Sequence, residues 1–308
     1  MDIAVDGGQT GLRIGLAGEG RLLRTHEVAG LSYAAGSPVD VVTSRVLEAW
    51  RGLDPPKTRL GSLCLGLTSL LGTVAAHEEL ARRLLDAIPA RRVLVTGDVV
   101  TAHAGAFQGR PGVVLAAGTG AVALGVGACG ATRQVDGWGF LLGDAGSGLW
   151  IGSRGLEAAY RGYDGRLAPG PLTARAHEVL GDLGRLPERL YLADDAVARV
   201  AGFAVHVLEL AAVDETALAI VEAAGHELAD SVAAAACCFS GTAQVPVSWT
   251  GRLLRDPILR AAFEGRLGTR LPQARIAPPA GDGLTGAAVI AATAGLGRYQ
   301  TLVRKFER

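Results

Sequence analysis

Two glycine-rich stretches of the chain carry the residue types that bind phosphate. The first is DGGQTG at residues 6–11, the second is GTGA at residues 118–121, and alternating apolar residues flank both. This alternation predicts a β-hairpin at each stretch. The backbone N–H groups of such a turn can form a concave anion site, and glycine lets a phosphate approach closely. Either turn alone could be an ordinary hairpin, but the recurrence favours two phosphate loops in a duplicated domain.

Two acidic residues stand at the ends of predicted strands. Asp6 closes the first strand, and Asp98 follows the apolar segment 91–97. Mg²⁺ prefers one or two carboxylates together with phosphate oxygens, so Asp6 is the candidate metal ligand. A carboxylate such as Asp98 can act as the general base that takes a proton from an attacking hydroxyl. The residues leave open a second role for Asp98, the N-cap of the following helix.

A third stretch, DGWGFLLGDAGSG at residues 136–148, is the least ordinary in the chain. Gly146 and Gly148 weaken the start of the helix that follows, unless something must approach the backbone there. Trp138 stands between two glycines and is either a core residue or a platform for the apolar face of a sugar.

Charge and hydropathy exclude several kinds of partner. Thirty basic residues balance thirty acidic ones, which argues against nucleic acid and anionic membranes. No apolar run approaches the roughly 18 residues that span a bilayer, and the first residues do not resemble a signal peptide. We therefore expect a cytoplasmic protein with no membrane partner.

The positions of the lysines and cysteines argue against several kinds of site. The only lysines are Lys57 and Lys305, and neither lies in a P-loop or a protein-kinase context. If the protein binds ATP, it therefore does so without a P-loop and without the lysine of a protein kinase. The four cysteines show no C-x-x-C spacing, which predicts reduced thiols and no zinc site.

The elements that must position these residues form an α/β pattern. Three strands are predicted over residues 2–28, and helices and strands then alternate to residue 127. Residues 153–240 are predicted to be mostly helical, and an apolar helix at 284–297 closes the chain. At roughly 100–200 residues per domain, the 308 residues suggest two domains.

Read in order, DGGQTG, the TGD of residues 96–98, the AAGTG of residues 116–120 and the 136–148 stretch resemble the BadF/BadG/BcrA/BcrD ATPase family. Within it, they are most similar to the N-acetylglucosamine kinase branch. The resemblance implies two duplicated actin/hexokinase-like (ribonuclease H-like) α/β domains around a nucleotide- and sugar-binding cleft. The implied limits are 1–107 and 108–308, with the last helix packing back on the first domain. It also implies a homodimer.

The resemblance assigns a role to each motif. It implies a kinase that moves the γ-phosphate of Mg²⁺-bound ATP to the 6-hydroxyl of N-acetylglucosamine or glucosamine, with Asp98 as the base. The implied nucleotide ligands are Asp6, Gly7, Gly8, Gln9, Thr10, Gly118, Thr119, Gly120 and Gly251, with Asp6 also the metal ligand. The implied sugar ligands are Ser69, Asp98, Trp138, Gly143 and Asp144.

The chain departs from the family pattern at three places. Ala145 replaces the usual glutamate of Gly-Asp-Glu-Gly-Ser, Ala121 replaces a serine of the second loop, and no asparagine follows Ser32. These changes bear on the identity of the sugar more than on ATP use.

Two other functions are compatible with the same motifs. One is the activator ATPase of a 2-hydroxyacyl-CoA dehydratase, which holds a [4Fe–4S] cluster on cysteines. Cys129 is followed by glycine, but no second cysteine follows at a suitable distance. The other is a sugar sensor that binds without turnover, against which the retained Asp98 and both glycine turns argue.

Overall fold

The computed structural model describes residues 1–8, 11–31, 37–54, 58–68, 71–239, 241 and 244–308. The chain divides into two compact units. The first unit contains residues 1–114, 126–132 and 277–308, and the second contains residues 115–125 and 133–276. One sheet lies wholly in the first unit, and the other lies in the second unit apart from residues 112–114, 126 and 132, which belong to the first unit.

The sheet of the first unit has six strands in the order β11-β5-β4-β1-β2-β3. The strands are β1 (Asp2–Gly7), β2 (Gly11–Gly18), β3 (Arg21–Ala29), β4 (Leu60–Leu67), β5 (Ala90–Gly97) and β11 (Arg304–Glu307). Strands β1, β4 and β5 run parallel, while β2, β3 and β11 pair antiparallel with their neighbours. The carboxyl ends of β1, β4 and β5 therefore meet at one edge of the sheet.

Helices cover both faces of this sheet. They are α1 (Pro38–Gly52), α2 (Val74–Ala87), α3 (Asp98–Phe107) and α11 (Gly283–Ala292). The odd-numbered side chains of β1, β4 and β5 share one apolar core with α1 and α2. Gly66, on the opposite face of β4, lies against Thr101 of α3, and α11 packs on α3 and β1. Because both faces are covered, the parallel strands are buried almost continuously.

The sheet of the second unit has five strands in the order β10-β9-β6-β7-β8. They are β6 (Gly112–Ala117), β7 (Ala121–Val126), β8 (Thr132–Asp136), β9 (Val245–Thr250) and β10 (Ala274–Ile276). The helices are α4 (Gly148–Tyr163), α5 (Pro171–Leu180), α6 (Leu186–Tyr191), α7 (Ala196–Gly202), α8 (Ala204–Leu210), α9 (Glu215–Ala235) and α10 (Pro257–Arg270). Helix α9 packs along α10, and α4 packs against α5, α7, α8 and α9.

The structure confirms the predicted α/β class and a strand on each side of both glycine-rich turns. The closing apolar helix ends at Ala292 and not at residue 297, because the backbone at Gly295, Leu296 and Gly297 has positive φ. The short strands β8, β10 and β11 were not anticipated, since three to five residues carry too little alternation to read. The predicted limits 1–107 and 108–308 concern the inherited duplication and stay a prediction.

Among the described residues, no single helix is long and apolar enough to cross a membrane. One pair of segments, Ala196–Leu210 and Glu215–Phe239, meets the length and composition criteria together but is bent by 114°.

Candidate active site

Three polar side chains gather at the carboxyl edge of the first sheet. Asp6 lies near the end of β1, Thr68 directly follows β4, and Asp98 directly follows β5. Ligands of parallel α/β sheets bind at this edge, because each strand delivers the first residues of its following loop there. The sequence predicted two of these three residues.

Asp98 is held by hydrogen bonding in a half-buried position. It is the first residue of α3, and Gly97 occupies the N-cap, so the N-cap alternative for Asp98 is wrong. The Thr68 hydroxyl donates a hydrogen bond of 3.1 Å to Asp98 Oδ2. Burial raises the pKa of the Asp98 carboxyl and the charge of Asp6 adds to the rise, while the Thr68 hydroxyl and the Val99 N–H oppose it. A carboxylate with a raised pKa is a better proton acceptor than an ordinary aspartate.

Asp6 belongs to an ion-pair network within the first unit. Arg13 lies opposite Asp6 in the β1–β2 register, and its guanidinium contacts Asp6 Oδ2 at 2.5 Å and Asp282 Oδ2 at 2.6 Å. Asp282 caps α11 by accepting the Thr285 N–H at 2.9 Å. Burial raises the pKa of Asp6, although Arg13 opposes the rise. Burial also acts on Asp282, but Thr285 and Arg13 outweigh it and leave its pKa lowered.

The described residues of the first glycine turn are tied to the sheet edge. The Gly8 N–H donates to the Gly11 carbonyl at 3.0 Å, and the Thr68 N–H donates to the Gly7 carbonyl at 3.0 Å. Thr68 thus links this turn to Asp98. The predicted ligands Gln9, Thr10 and Ser69 lie outside the described residues.

The second glycine turn is held by the start of α4. The N–H groups of Gly148 and Leu149 donate to the carbonyls of Gly118 and Thr119 at 2.8 and 3.1 Å. Within the described residues, the N–H groups of Thr119 and Gly120 have no hydrogen-bond acceptor. Thr119 is exposed and Gly120 half-exposed, so two adjacent donors remain available to an anion.

The glycines at the start of α4 have a structural reason of their own. A side chain at Gly146, whose φ is +78°, would overlap Leu228, and a Cβ at Gly148 would lie 3.0 Å from the Gly118 carbonyl oxygen. What approaches this backbone is therefore the protein itself, including the second glycine turn. Gly146 and Gly148 therefore give no evidence that a ligand binds at the start of α4.

Asp144 lies against the second glycine turn. Its Oδ1 accepts the Ala121 N–H at 3.1 Å, and its own N–H donates to Asp136 Oδ1 at 2.7 Å. Burial raises the pKa of Asp144, and the charge of Asp136 adds to the rise, while the Ala121 N–H opposes it. In the described part of the chain Asp144 Oδ2 accepts no hydrogen bond, so this oxygen is free to bind a ligand.

The loop between β8 and Asp144 presents apolar side chains to solvent. Trp138 is 67% exposed and Leu142 is 85% exposed, so the core alternative for Trp138 is wrong. Asp136 fixes both ends of the loop by accepting the N–H groups of Gly137 and Ala145 at 2.7 and 2.9 Å. An exposed indole on an anchored loop can serve as a platform.

Two predicted glycine ligands, Gly143 and Gly251, are constrained by their neighbours. Gly251 has φ +93°, and a Cβ there would overlap the Ala117 carbonyl at the end of β6. A Cβ at Gly143 would overlap the Asp136 carboxylate. The second unit thus brings Gly251, Gly143 and Asp144 to the surroundings of its glycine turn.

Four residues of these networks were missed by the sequence reasoning: Arg13, Thr68, Asp136 and Asp282. Arg13 could have been found, because a hairpin around residues 8–10 pairs it with Asp6 on the same face. Asp282 precedes a helix and reads as an N-cap. Thr68 carries no sequence signal, since its contact with Asp98 spans 30 residues.

The first unit offers Asp6 as a ligand for Mg²⁺. Among the described residues there is no group of three or more His, Cys, Asp or Glu side chains that could hold a metal ion. Mg²⁺ usually binds one or two carboxylates together with substrate phosphates. Asp6 could therefore supply one carboxylate to a cation whose other ligands come from a bound phosphate.

The chain matches one known protein family over most of its length. Residues 4–291 match the model of the BadF/BadG/BcrA/BcrD ATPase family. A curated N-acetylmuramic acid/N-acetylglucosamine kinase from Clostridium acetobutylicum is 35% identical over 75 residues, which are 24% of each chain. An N-acetyl-D-glucosamine kinase from Dictyostelium discoideum is 27% identical over 196 residues, 59% of this chain and 60% of that protein. The chain thus spans less than two thirds of the length of either relative.

A solved structure matches over a larger share. The crystal structure of a protein from Chromobacterium violaceum, provisionally named an N-acetylglucosamine kinase, is 28% identical, with a TM-score of 0.72. The match covers 95% of this chain and 98% of that one. Together with the two sheets, it confirms the predicted actin/hexokinase-like fold class.

Proposed function

The chain belongs to the BadF/BadG/BcrA/BcrD ATPase family, and on that premise we propose that it is an ATP-dependent hexosamine kinase. The acceptor is N-acetylglucosamine or glucosamine, phosphorylated at its 6-hydroxyl. The observation that carries the proposal is the Asp98 carboxylate, held by Thr68 at 3.1 Å at the carboxyl edge of the first sheet. Kinase activity needs one proton acceptor at such a position.

Asp98 acts as the general base. It accepts the hydroxyl proton while the sugar oxygen forms its bond to the γ-phosphorus and the bond from that phosphorus to the ADP oxygen breaks. The proton then rests on the Asp98 carboxyl, whose raised pKa favours holding it. Water later removes the proton and restores the carboxylate.

The two glycine turns bind the phosphates of ATP. In the second turn, the free N–H groups of Thr119 and Gly120 are the donors, with Gly118 supporting them. In the first turn, Gly7, Gly8, Gln9 and Thr10 take the same role. Backbone donors fixed before the reaction stabilise developing charge without reorganising. The Gly251 turn receives the adenosine.

Asp6 is the carboxylate that would hold the Mg²⁺ that accompanies ATP, and this ion would supply positive charge to offset the phosphates. Arg13 keeps Asp6 oriented through its contact at 2.5 Å. The residues that bind the sugar are Ser69, Asp98, Trp138, Gly143 and Asp144. Trp138 stacks on the ring, and Asp144 Oδ2 accepts a sugar hydroxyl. The protein works in the cytoplasm as a homodimer.

The test is acceptor-dependent release of ADP by the purified protein with Mg²⁺. N-acetylglucosamine, glucosamine, N-acetylmannosamine and glucose are compared at equal concentration. We expect turnover with at least one amino sugar and its loss in Asp98→Asn. The matched control is Asp194→Asn, an exposed aspartate, which should keep full activity. Tight ATP binding without acceptor-dependent ADP release would refute the kinase and favour the sensor, and a brown protein with a cluster absorbance would favour the activator.

A further inference from the structure

The carboxylate of Asp136, the last residue of β8, binds the backbone at both ends of a single loop. Its Oδ1 accepts the N–H groups of Gly137 and Asp144, each at 2.7 Å. Its Oδ2 accepts the Ala145 N–H at 2.9 Å. A carboxylate has about four acceptor positions, and three of them are filled here. Asp136 therefore closes the loop 137–143 at its base and is not itself arranged to bind a ligand.

Asp144, at the far end of this loop, is held from two sides. Its N–H donates to Asp136 Oδ1, and its own Oδ1 accepts the Ala121 N–H at 3.1 Å. These two contacts fix both the backbone and the carboxylate of Asp144. Within the described residues, its Oδ2 accepts no hydrogen bond. The result is one oriented carboxylate oxygen whose acceptor capacity is unused.

The backbone of both aspartates lies in the left-handed region, with φ +61° at Asp136 and +60° at Asp144. Aspartate tolerates this region better than most residues, because its short side chain can hydrogen-bond locally. Residues held there concentrate at functional sites, where the surrounding structure must hold them in place. A Cβ at Gly143 would overlap Asp136 Oδ1, and a Cβ at Gly120 would lie 2.9 Å from Asp144 Oδ1. Glycine is therefore required where each carboxylate approaches the backbone.

We propose that Asp136 is a positioning residue of the acceptor site. It holds Asp144 so that Oδ2 is oriented for a hydroxyl of the acceptor, and it anchors the loop that carries Trp138. This inference rests on the proposed function. Asp136 does not touch the acceptor and takes no part in phosphate transfer. Its loss should therefore weaken acceptor binding and leave the chemical step intact.

The test replaces the anchoring carboxylate with an amide. Asp136→Asn has nearly the same shape and also tolerates a positive φ, but its amide nitrogen cannot accept, so at least one of the three N–H groups loses its partner. We expect the acceptor KM to rise about tenfold, the size of one hydrogen bond, while kcat and the KM for ATP change by less than about twofold. Calorimetry without ATP should show the same rise in the Kd of N-acetylglucosamine or glucosamine. Asp136→Gly removes all three acceptors, suits the backbone and should raise the acceptor KM further.

Asp182→Asn is the matched control, because Asp182 is an exposed aspartate of the same unit that accepts the Gly184 N–H at 2.9 Å. It should keep the wild-type acceptor KM. An unchanged acceptor KM in Asp136→Asn, or an equal rise for acceptor and ATP together with a lower melting temperature, would overturn the positioning role.

Calorimetry separates this proposal from the kinase proposal. A wild type that binds either amino sugar without turnover, and more tightly than Asp136→Asn does, would keep the positioning role and refute the kinase. Turnover in the wild type with the same acceptor KM in Asp136→Asn would do the reverse. A wild type that binds neither sugar would refute both.

Discussion

The two glycine turns share a sequence device but differ in the way an acidic residue is placed beside them. In the first unit the acid, Asp6, belongs to the strand that enters the turn, and Arg13 contacts it directly. In the second unit the acid, Asp144, comes from a distant loop and accepts the N–H of Ala121 in the turn. No arginine pairs with Asp144 among the described residues.

The difference indicates two electrostatic tasks. In the proposed function the first turn would bind a metal-bound phosphate, with Asp6, which Arg13 contacts, as the carboxylate that holds the cation. In the described part of the chain the N–H groups of Thr119 and Gly120 have no acceptor, so in the proposed function the second turn would contact phosphate oxygens directly. The predictions that follow test this division, from the largest effect to the smallest.

The largest effect is expected at the proposed base. Asp98→Asn should lower kcat by about 10²–10⁴-fold, the usual contribution of a general base, with little change in the KM for ATP. Asp144→Asn should mainly raise the KM of the acceptor. Steady-state kinetics of both variants checks the contrast. An equal loss of kcat in both would remove the assignment of the base to the first unit.

The melting temperature of Asp98→Asn shows whether its loss of activity comes from lost catalysis or from a destabilised fold. A carboxyl whose folded pKa is raised stabilises the fold only at low pH, and that contribution is lost as the pH rises through the folded pKa. Asp98 has such a raised pKa, so at neutral pH the charge of its half-buried carboxylate destabilises the fold. Asp98→Asn should therefore melt no lower than the wild type at pH 7. A clear drop in melting temperature would mean that the side chain is structural.

The ion-pair network beside the first turn should give the next largest effect. Arg13→Gln leaves two partly buried carboxylates without their partner, and because the groups are partly exposed we expect a loss of about 1–2 kcal/mol. Mg²⁺ should recover more stability in this variant than in the wild type, since a cation can replace the guanidinium. Urea denaturation with and without Mg²⁺ measures both. Arg82→Gln, in an exposed pair with Asp86, should change stability by less than about 0.5 kcal/mol.

A smaller effect is expected on the pH dependence of kcat/KM. Thr68→Val removes a hydrogen bond that lowers the pKa of Asp98, so that pKa rises further. Because the base must be deprotonated, the acid limb of kcat/KM should move to higher pH. Thr68→Ser keeps the hydroxyl and should restore the wild-type limb. An unshifted limb in Thr68→Val would show that Asp98 does not control it.

The smallest effect on stability is expected at Trp138. This side chain is 67% exposed, so Trp138→Ala should change the free energy of unfolding by less than about 0.5 kcal/mol. The same variant should raise the acceptor KM, because the proposed platform is lost. A large destabilisation would show that the indole packs in the core in solution.

The features that could be predicted from the sequence were those marked by a repeated motif or by alternating apolar residues. The hairpins around both turns followed from alternation, and Asp6 and Asp98 followed from their places at strand ends. Thr68 could not be predicted, because its partner is set by the parallel pairing of β4 and β5. The role of Asp136 was missed for a similar reason, since its carboxylate binds N–H groups up to nine residues away. The glycines at 146 and 148 were attributed to a ligand, when contacts within the second unit account for them.

The most direct test of the central claim is the fate of the γ-phosphate. The protein is incubated with ATP, Mg²⁺ and N-acetylglucosamine or glucosamine, and ³¹P NMR identifies the phosphorylated products. The account predicts a sugar 6-phosphate formed in step with ADP by the wild type and absent with Asp98→Asn. Inorganic phosphate as the sole product, formed at the same rate with and without sugar, would contradict it and identify an ATPase.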